Sequence, residues 1–180
     1  MNQKHPLEVL LNASAWDILS AVQKGFRAII DVKGKLAEYF LEHRIAQLHL
    51  AGEIDSYMWQ DIDGQPDFLI TVPGKTLRIE CKNIRSEVLF TKPVPGYKAE
   101  LQKTRNSKDG TPTRAYRFSE FDILAVCLFN HTKKWEYLFI ATRDLTPRPD
   151  APDLIKIMQH VPFQPSGPWK PDLLDVLGSL

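Results

Sequence analysis

The chain has 180 residues, of which 43% are hydrophobic and 25% charged, and its formal net charge is +1. This length suits a single domain with a sizeable core, and no apolar run reaches the ~18 to 20 residues that a membrane span requires. The net charge by itself neither favours nor excludes a polyanionic partner. The amino terminus lacks the pattern of a signal peptide, which predicts a cytoplasmic protein that is not associated with a membrane.

The amino-terminal sequence predicts a helix from residue 6 to about residue 24, with apolar positions interrupted by Glu8, Asn12 and Asp17. Its apolar side chains form a candidate surface for a homodimer: Leu7, Val9, Leu10, Leu11, Trp16 and Ile18.

A second, longer helix is predicted from Asp31 to about Leu50, ended by the Ala-Gly-Glu that follows. Most of its circumference is apolar, which predicts burial, and Glu38 and Glu42 lie side by side in a narrow polar strip. A buried glutamate needs a partner. In the alternative interpretation, both glutamates reach solvent or pair with neighbours on the helix.

Three short segments rich in apolar and aromatic residues follow, separated by Asp-Gly and Pro-Gly turn signals, and they predict an antiparallel meander. Two further strands are predicted later in the chain, and the first of them is nearly continuous in apolar character, as in a strand covered on both faces. The two cysteines, Cys81 and Cys127, fall in predicted buried strands and are expected to be packing residues. The five predicted strands are 57–60, 66–72, 76–82, 121–130 and 134–142.

The remaining segments are predicted to be less regular. A polar segment at 97–106 is expected to be partly helical, and residues 106–113 are expected to form a loop. The proline-rich tail is expected to be extended, with short helical pieces near 153–160 and 171–177. The element order predicts an α/β or α+β fold, a mixed β-sheet flanked by helices. We divide this single domain into a helical extension (1–30), a core (31–145) and a carboxy-terminal tail (146–180).

The stretch Leu-Arg-Ile-Glu-Cys-Lys-Asn at residues 77–83 alternates apolar and charged side chains. If Pro73 and Gly74 are the central residues of a hairpin turn, Asp67 lies directly across from Glu80, and Lys82 lies at the same end of the same face. Facing carboxylates repel each other unless positive charge lies between them. Lys82 can supply part of that charge, and a divalent cation such as Mg²⁺ can supply more. In the alternative interpretation, the three residues form a surface network without a metal.

Residues 92–117 carry seven lysines and arginines against two acidic residues. Such a local excess predicts an edge that faces an anion, such as the phosphate backbone of a nucleic acid. A solvated loop that serves only solubility is the alternative. The candidate nucleic-acid contacts are Lys103, Arg105, Lys108, Arg114, Tyr116 and Arg117.

Taken in order, Gly-Lys-Leu-Ala-Glu-Tyr-Phe on a helix, then Gln-Pro-Asp-Phe-Leu-Ile, then Arg-Ile-Glu-Cys-Lys-Asn resemble the PD-(D/E)xK phosphodiesterase superfamily, the restriction-endonuclease-like nucleases. The resemblance implies a restriction-endonuclease-like mixed sheet. It also implies that Glu38, Asp67 and Glu80 hold Mg²⁺, or Mn²⁺ in its place, and that the Cys81 backbone carbonyl is a further ligand. Asp67, Glu80 and Lys82 would be the catalytic residues, with Lys82 positioning or deprotonating the attacking water. Glu42, one turn after Glu38, is the alternative helical ligand.

The leading hypothesis is therefore a Mg²⁺-dependent DNA endonuclease that hydrolyses phosphodiester bonds, with a role in restriction, repair or mobile-element transfer. Its partner would be double-stranded DNA, and cleavage of both strands would favour a homodimer. The alternative is a nucleic-acid-binding or assembly module that has the same fold but does not cut. An RNA-cleaving relative is a third interpretation.

Overall fold

The computed structural model describes residues 4–103 and 114–180, and the chain divides into two compact units, Met1–Leu36 and Ala37–Leu180. Among the described residues, no helix combines the length and apolar character of a membrane span. The α-helices of the described residues are α1 (Pro6–Leu11), α2 (Ala15–Lys24), α3 (Phe26–Leu50), α4 (Phe129–Thr132) and α5 (Leu173–Leu177).

The amino-terminal unit contains α1, α2 and the first part of α3, so the prediction of one helix from 6 to 24 is wrong. Asn12 ends α1 in the left-handed conformation, with φ of 48°. Ser14 then begins α2 as its N-cap, because its hydroxyl accepts a hydrogen bond from the Asp17 backbone N–H at 3.1 Å. Short polar side chains of this kind compete with helical hydrogen bonds and favour caps.

Helix α3 begins at Phe26, five residues earlier than predicted, and ends as predicted before Gly52. Gly52 has φ of 76°, and its N–H donates to the His49 carbonyl at 3.0 Å. The expectation that this helix is buried nearly all round is wrong. Its buried side chains are Ala37, Leu41 and Ile45, a single stripe at intervals of four residues, so only one face packs against the sheet.

The second unit is built around a seven-stranded mixed sheet, and two further strands form a separate pair. This arrangement confirms the predicted mixed sheet flanked by helices. The strands of the described residues are β1 (Ser56–Trp59), β2 (Phe68–Val72), β3 (Lys75–Phe90), β4 (Gly96–Glu100), β5 (Ile123–Cys127), β6 (Tyr137–Ala141), β7 (Pro147–Arg148), β8 (Ala151–Ile155) and β9 (Met158–Val161).

Strand β3 organises the sheet because it changes partners along its 16 residues. Its start pairs antiparallel with β2, which in turn pairs with β1, so the predicted meander is confirmed. From Ile79 to Asn83 it also pairs in parallel with β5, and β5 pairs with β6. From Ile84 to Phe90 it pairs antiparallel with β4, and β4 pairs with β9.

Two core clusters cover the two faces of the sheet. Alternate residues of β3 point in opposite directions, so Leu77, Ile79 and Cys81 join the buried stripe of α3 in a first core cluster. Ile84 lies in a second core cluster with Trp169 and residues of β5 and β6. Strands β5 and β6 contribute to both clusters, which explains why every residue in them is buried.

Three local predictions differ from the structure. Residues 96–100 form β4 and not a helix, because β3 and β9 pair with it on either side. The predicted helical piece near 153–160 is wrong, since β8 and β9 cover most of it, whereas the predicted helix near 171–177 is confirmed by α5. A short helix, α4, separates β5 from β6. The predicted loop at 106–113 lies outside the described residues.

Candidate active site

The hairpin between β2 and β3 has the predicted register. Gly74 has φ of 83° in the turn, Val72 faces Lys75, and Phe68 faces Ile79. Asp67 precedes Phe68, and Glu80 follows Ile79, so the pairing brings these two residues to the same end of the hairpin.

The carboxylate of Asp67 is held by the backbone of the neighbouring strand. Its Oδ2 accepts a hydrogen bond from the Cys81 N–H at 2.7 Å. Its own carbonyl accepts from the Gln60 N–H at 2.8 Å, which ties the residue to the end of β1. Asp67 is therefore fixed from both sides by main-chain hydrogen bonds.

Glu80 is one of the few buried charged residues among those described, with 4% of its surface exposed. Its Oε1 accepts a hydrogen bond from the Lys82 ammonium and another from the Tyr116 hydroxyl, the latter at 2.6 Å. The Lys82 side chain is 25% exposed and lies 5.7 Å from the centroid of the Tyr116 ring. The predicted acid and base are thus in direct contact, and a tyrosine completes the group.

Negative charge exceeds positive charge in this cluster. Burial and, after it, the nearby Glu80 carboxylate together raise the pKa of Asp67 to about 7, while Lys82 opposes the shift. A raised carboxyl pKa of this size is common at functional sites, although structural networks also produce it.

Lys82 keeps its proton in this environment. Burial alone would lower its pKa, but the negative charges of Glu80 and Asp67 outweigh burial and raise the pKa above its ordinary value. For the Tyr116 hydroxyl, by contrast, burial raises the pKa, so Tyr116 remains a hydrogen-bond donor to Glu80 at neutral pH.

The two candidate glutamates of α3 differ in their relation to this cluster. Glu38 contributes to the raised pKa of Asp67, and its Oε2 accepts a hydrogen bond from the Trp59 indole N–H at 3.0 Å. Glu42 is half-buried and is not among the charges that shift Asp67. The geometry therefore favours Glu38 as the acidic neighbour of Asp67.

Glu38 and Glu80 belong to different elements, α3 and β3. The buried stripe of α3 packs on the first core cluster, whereas Glu80 alternates with Ile79 and Cys81 and so points toward the opposite face. Within residues 4–103 and 114–180, no three His, Cys, Asp or Glu side chains are arranged to hold a metal ion. The predicted three-carboxylate ligand set is thus not assembled in this conformation.

The basic segment lies partly within the described residues. Lys103 forms an ion pair with Glu120, and the Arg117 N–H donates to the other oxygen of Glu120 at 2.8 Å. The Arg114 side chain donates to the Lys103 carbonyl at 2.9 Å. Two predicted contacts, Arg105 and Lys108, lie outside the described residues.

Sequence reasoning missed two members of this neighbourhood. It assigned Tyr116 to nucleic-acid contacts, whereas its hydroxyl bonds Glu80, and it gave no role to Glu120, which pairs with Lys103. Tyr116 is 36 positions from Glu80 and no local motif links them. Only the tertiary fold brings these residues together.

Comparison with known proteins adds one partial similarity of backbone arrangement. Neither a scan against family models nor a search of curated proteins found a match. Among solved structures, the bacterial homing endonuclease I-Ssp6803I aligns with a TM-score of 0.42 and 16% sequence identity, over 62% of this chain and 68% of the endonuclease chain.

Proposed function

We propose that this protein is a Mg²⁺-dependent DNA endonuclease of the PD-(D/E)xK type, which hydrolyses phosphodiester bonds in double-stranded DNA and acts as a homodimer. The observation that carries the proposal is the cluster of Asp67, Glu80 and Lys82. Two acidic side chains and one lysine occupy a mostly buried position, and burial together with the Glu80 charge raises the pKa of Asp67 to about 7.

The donor atoms fit Mg²⁺, or Mn²⁺, in their chemistry. Asp67 and Glu80 would hold the ion through carboxylate oxygens, with the Cys81 carbonyl as a further ligand, and these are the hard oxygen donors that Mg²⁺ prefers. Glu38, whose Oε2 accepts a hydrogen bond from the Trp59 indole N–H, would be a further carboxylate ligand from α3. The bound ion would neutralise charge on the scissile phosphate and lower the pKa of the attacking water.

Lys82 would act as a cation in this mechanism. In the metal-free site the surrounding carboxylates raise the pKa of Lys82, so Lys82 holds its proton at neutral pH. Its ammonium can donate a hydrogen bond to the attacking water or to a phosphate oxygen, so it orients the nucleophile and stabilises negative charge as the reaction proceeds.

The basic segment would bind the substrate backbone through Lys103, Arg105, Lys108, Arg114 and Arg117. Each cation that contacts a duplex phosphate releases a counterion and adds about 0.9 to the negative slope of log K against log salt. We therefore expect Arg114→Ala and Arg117→Ala each to weaken DNA binding and to make that slope shallower by about 0.9. Lys134→Ala, at an exposed lysine outside the segment, is the matched control. Slopes identical to wild type in both arginine variants would contradict this assignment.

The deciding experiment is incubation of the full chain with supercoiled plasmid, with and without Mg²⁺ or Mn²⁺. We expect metal-dependent nicking or linearisation by the wild type and none by Glu80→Gln. Tyr97→Phe, at a tyrosine of β4, serves as a control for handling and folding. Failure of the wild type to cleave single-stranded DNA, duplex DNA or RNA with either metal would overturn the proposal.

A second candidate function has one observation in its favour. Lys82 and Tyr116 already satisfy one oxygen of Glu80, and no three-ligand metal group is assembled among the described residues, as in a site that has a structural role. Salt-dependent DNA binding without cleavage would identify a nucleic-acid-binding or assembly module.

A further inference from the structure

Tyr116 connects the basic segment to the carboxylate cluster. Its hydroxyl donates to Glu80 at 2.6 Å, and its ring centroid lies 5.7 Å from the Lys82 ammonium and 5.5 Å from the Lys103 ammonium. The ring also meets Phe121 edge-on, with centroids 5.4 Å apart. The backbone carbonyl of Tyr116 accepts from the Ile155 N–H at 2.8 Å, so both its main chain and its ring are fixed.

The two donors to Glu80 bond the same oxygen. The Lys82 ammonium and the Tyr116 hydroxyl both donate to Oε1, and neither donates to Oε2. Lys82 comes from the same strand as Glu80, and its long side chain can follow the carboxylate as it rotates. Tyr116 comes from a separate segment and has a rigid ring, so its hydroxyl fixes the direction of Oε1 and thereby the direction in which Oε2 is presented.

We propose that Tyr116 is a positioning residue that orients the Glu80 carboxylate so that Oε2 is presented to a divalent cation. This inference rests on the proposed function and replaces the prediction that Tyr116 contacts DNA. Partners that orient a metal ligand typically change metal affinity or activity by about 10- to 100-fold when they are removed.

The test is Tyr116→Phe, which keeps the ring and its contacts and removes only the hydroxyl. We expect the apparent Mg²⁺ affinity, measured from the Mg²⁺-dependent rise in melting temperature without DNA, to fall about tenfold or more. We also expect kcat for plasmid cleavage to fall while KM for DNA stays unchanged. Tyr97→Phe is the matched control, because the Tyr97 ring packs against His131 and Phe163 away from Glu80.

The outcomes separate this inference from the proposed function. An unchanged Mg²⁺ response together with a raised KM for DNA would overturn the positioning role and restore a DNA contact, and no change in either would overturn both roles. If Tyr116→Phe has a lower melting temperature than wild type without Mg²⁺, the rise in melting temperature caused by Mg²⁺ still measures metal binding. A wild type that responds to Mg²⁺ more strongly than Tyr116→Phe, yet cleaves nothing, would support the positioning role and overturn the nuclease.

A different observation concerns the amino-terminal unit, which has no buried side chain among residues 4–36. Large apolar side chains are instead exposed along all three of its helical segments, including Leu10 at 76%, Trp16 at 79% and Phe26 at 78%. Short helices are marginal in water unless an apolar face is packed. These exposed apolar side chains are more numerous than isolated surface residues explain.

We infer that these side chains pack against the same side chains of a second copy of the chain, an inference that rests on the homodimer of the proposed function. Each partner in a stable protein interface buries ~800 Å² or more, which requires several large apolar side chains, and the unit exposes eight of them by half or nearly half: Leu7, Val9, Leu10, Leu11, Trp16, Leu19, Phe26 and Ile30. Its charged residues are of both signs, among them Glu8, Asp17, Lys24 and Arg27, which suits a self-complementary interface better than an anionic lipid surface.

Sedimentation equilibrium of the full chain at ~50 µM tests this interface, since association is concentration-dependent. We expect a dimer for the wild type, a monomer with unchanged helical content for Leu10→Glu and for Trp16→Glu, and a dimer for Met58→Glu, which changes an exposed apolar residue of β1. A monomeric wild type, or dimers that persist in both amino-terminal variants, would overturn the inference.

Discussion

Two aspartates make the same backbone contact with β3 but experience opposite electrostatic environments. Asp67 Oδ2 accepts from the Cys81 N–H at 2.7 Å, and Asp122 Oδ2 accepts from the Arg78 N–H at 2.8 Å. Asp122 also binds the Arg78 guanidinium in a two-point contact, with both distances at 3.0 Å. Burial raises the pKa of Asp122, but the hydrogen bonds from Arg78 outweigh it, and the net pKa is lowered. The pKa of Asp67 is raised instead.

The difference shows why alternating charges on a strand do not identify a site. Arg78 and Asp122 form a complete, partly exposed pair that needs nothing more. Two and four positions further along the same strand, Glu80 and Lys82 are less exposed, and a second carboxylate beside them leaves an excess of negative charge. Burial and charge imbalance, rather than the pattern of acid and base, distinguish the candidate site.

The largest expected effect contrasts the two cations of this strand. Lys82→Ala should lower the rate of plasmid cleavage by ~10²-fold or more while DNA binding survives, because the carboxylates remain and the orienting cation is lost. Arg78→Ala removes an exposed pair and should cost about 1 kcal/mol of stability or less, with cleavage within about twofold of wild type. Initial rates under saturating DNA measure both, and a fully active Lys82→Ala protein would contradict the mechanism.

A smaller effect is expected in the pH dependence of stability at Asp67. The ordinary carboxyl pKa of 3.8 applies to the unfolded chain, and the folded value is about 7, so between these pH values the folded state holds a proton that the unfolded state has lost. The free energy of unfolding therefore falls as pH rises through this window, and Asp67→Asn should avoid the loss.

We expect Asp67→Asn to match wild type near pH 4 and to exceed it above pH 7 by at most about 4 kcal/mol, at about 1.4 kcal/mol per pKa unit. Urea unfolding at several pH values measures the difference. A constant difference across the range would show that the raised pKa of Asp67 is not present in solution.

The smallest expected effect is the pH dependence of stability at Asp122, which has the opposite sign to that at Asp67. The pKa of Asp122 is lowered in the folded state, so its stabilising contribution is present above its unfolded pKa of 3.8 and is lost as pH falls through the folded value. Asp122→Asn should therefore destabilise the protein at pH 7 and be close to neutral near pH 3. The same urea unfolding series measures this change. If the free energies of unfolding of Asp67→Asn and Asp122→Asn depended on pH in the same way, the proposed difference between the two aspartates would be contradicted.

The hairpin and its carboxylates were predictable from the sequence because a two-residue turn and a period of two together determine strand register. Once Pro73 and Gly74 are placed in the turn, Asp67 and Glu80 must reach the same end. The sheet order of β1 to β3 and the buried character of β5 follow from equally local signals.

The rest depends on contacts between segments distant in sequence. Tyr116 meets Glu80 only because β5 places its preceding segment beside β3, and β4 is a strand because β3 and β9 lie on either side of it. The break between α1 and α2 is different, since Asn12 and Ser14 are local capping residues whose signal the apolar pattern outweighed.

Strand β9 has a consequence for engineering a shorter protein. It comes from the proline-rich tail, yet it pairs with β4 along Tyr97–Glu100, and the tail also supplies Trp169 to the second core cluster. Truncation after residue 146 would expose a row of main-chain donors and acceptors on β4, and such open edges recruit other chains. The tail therefore protects the sheet from self-association, and a minimal folded fragment must retain it.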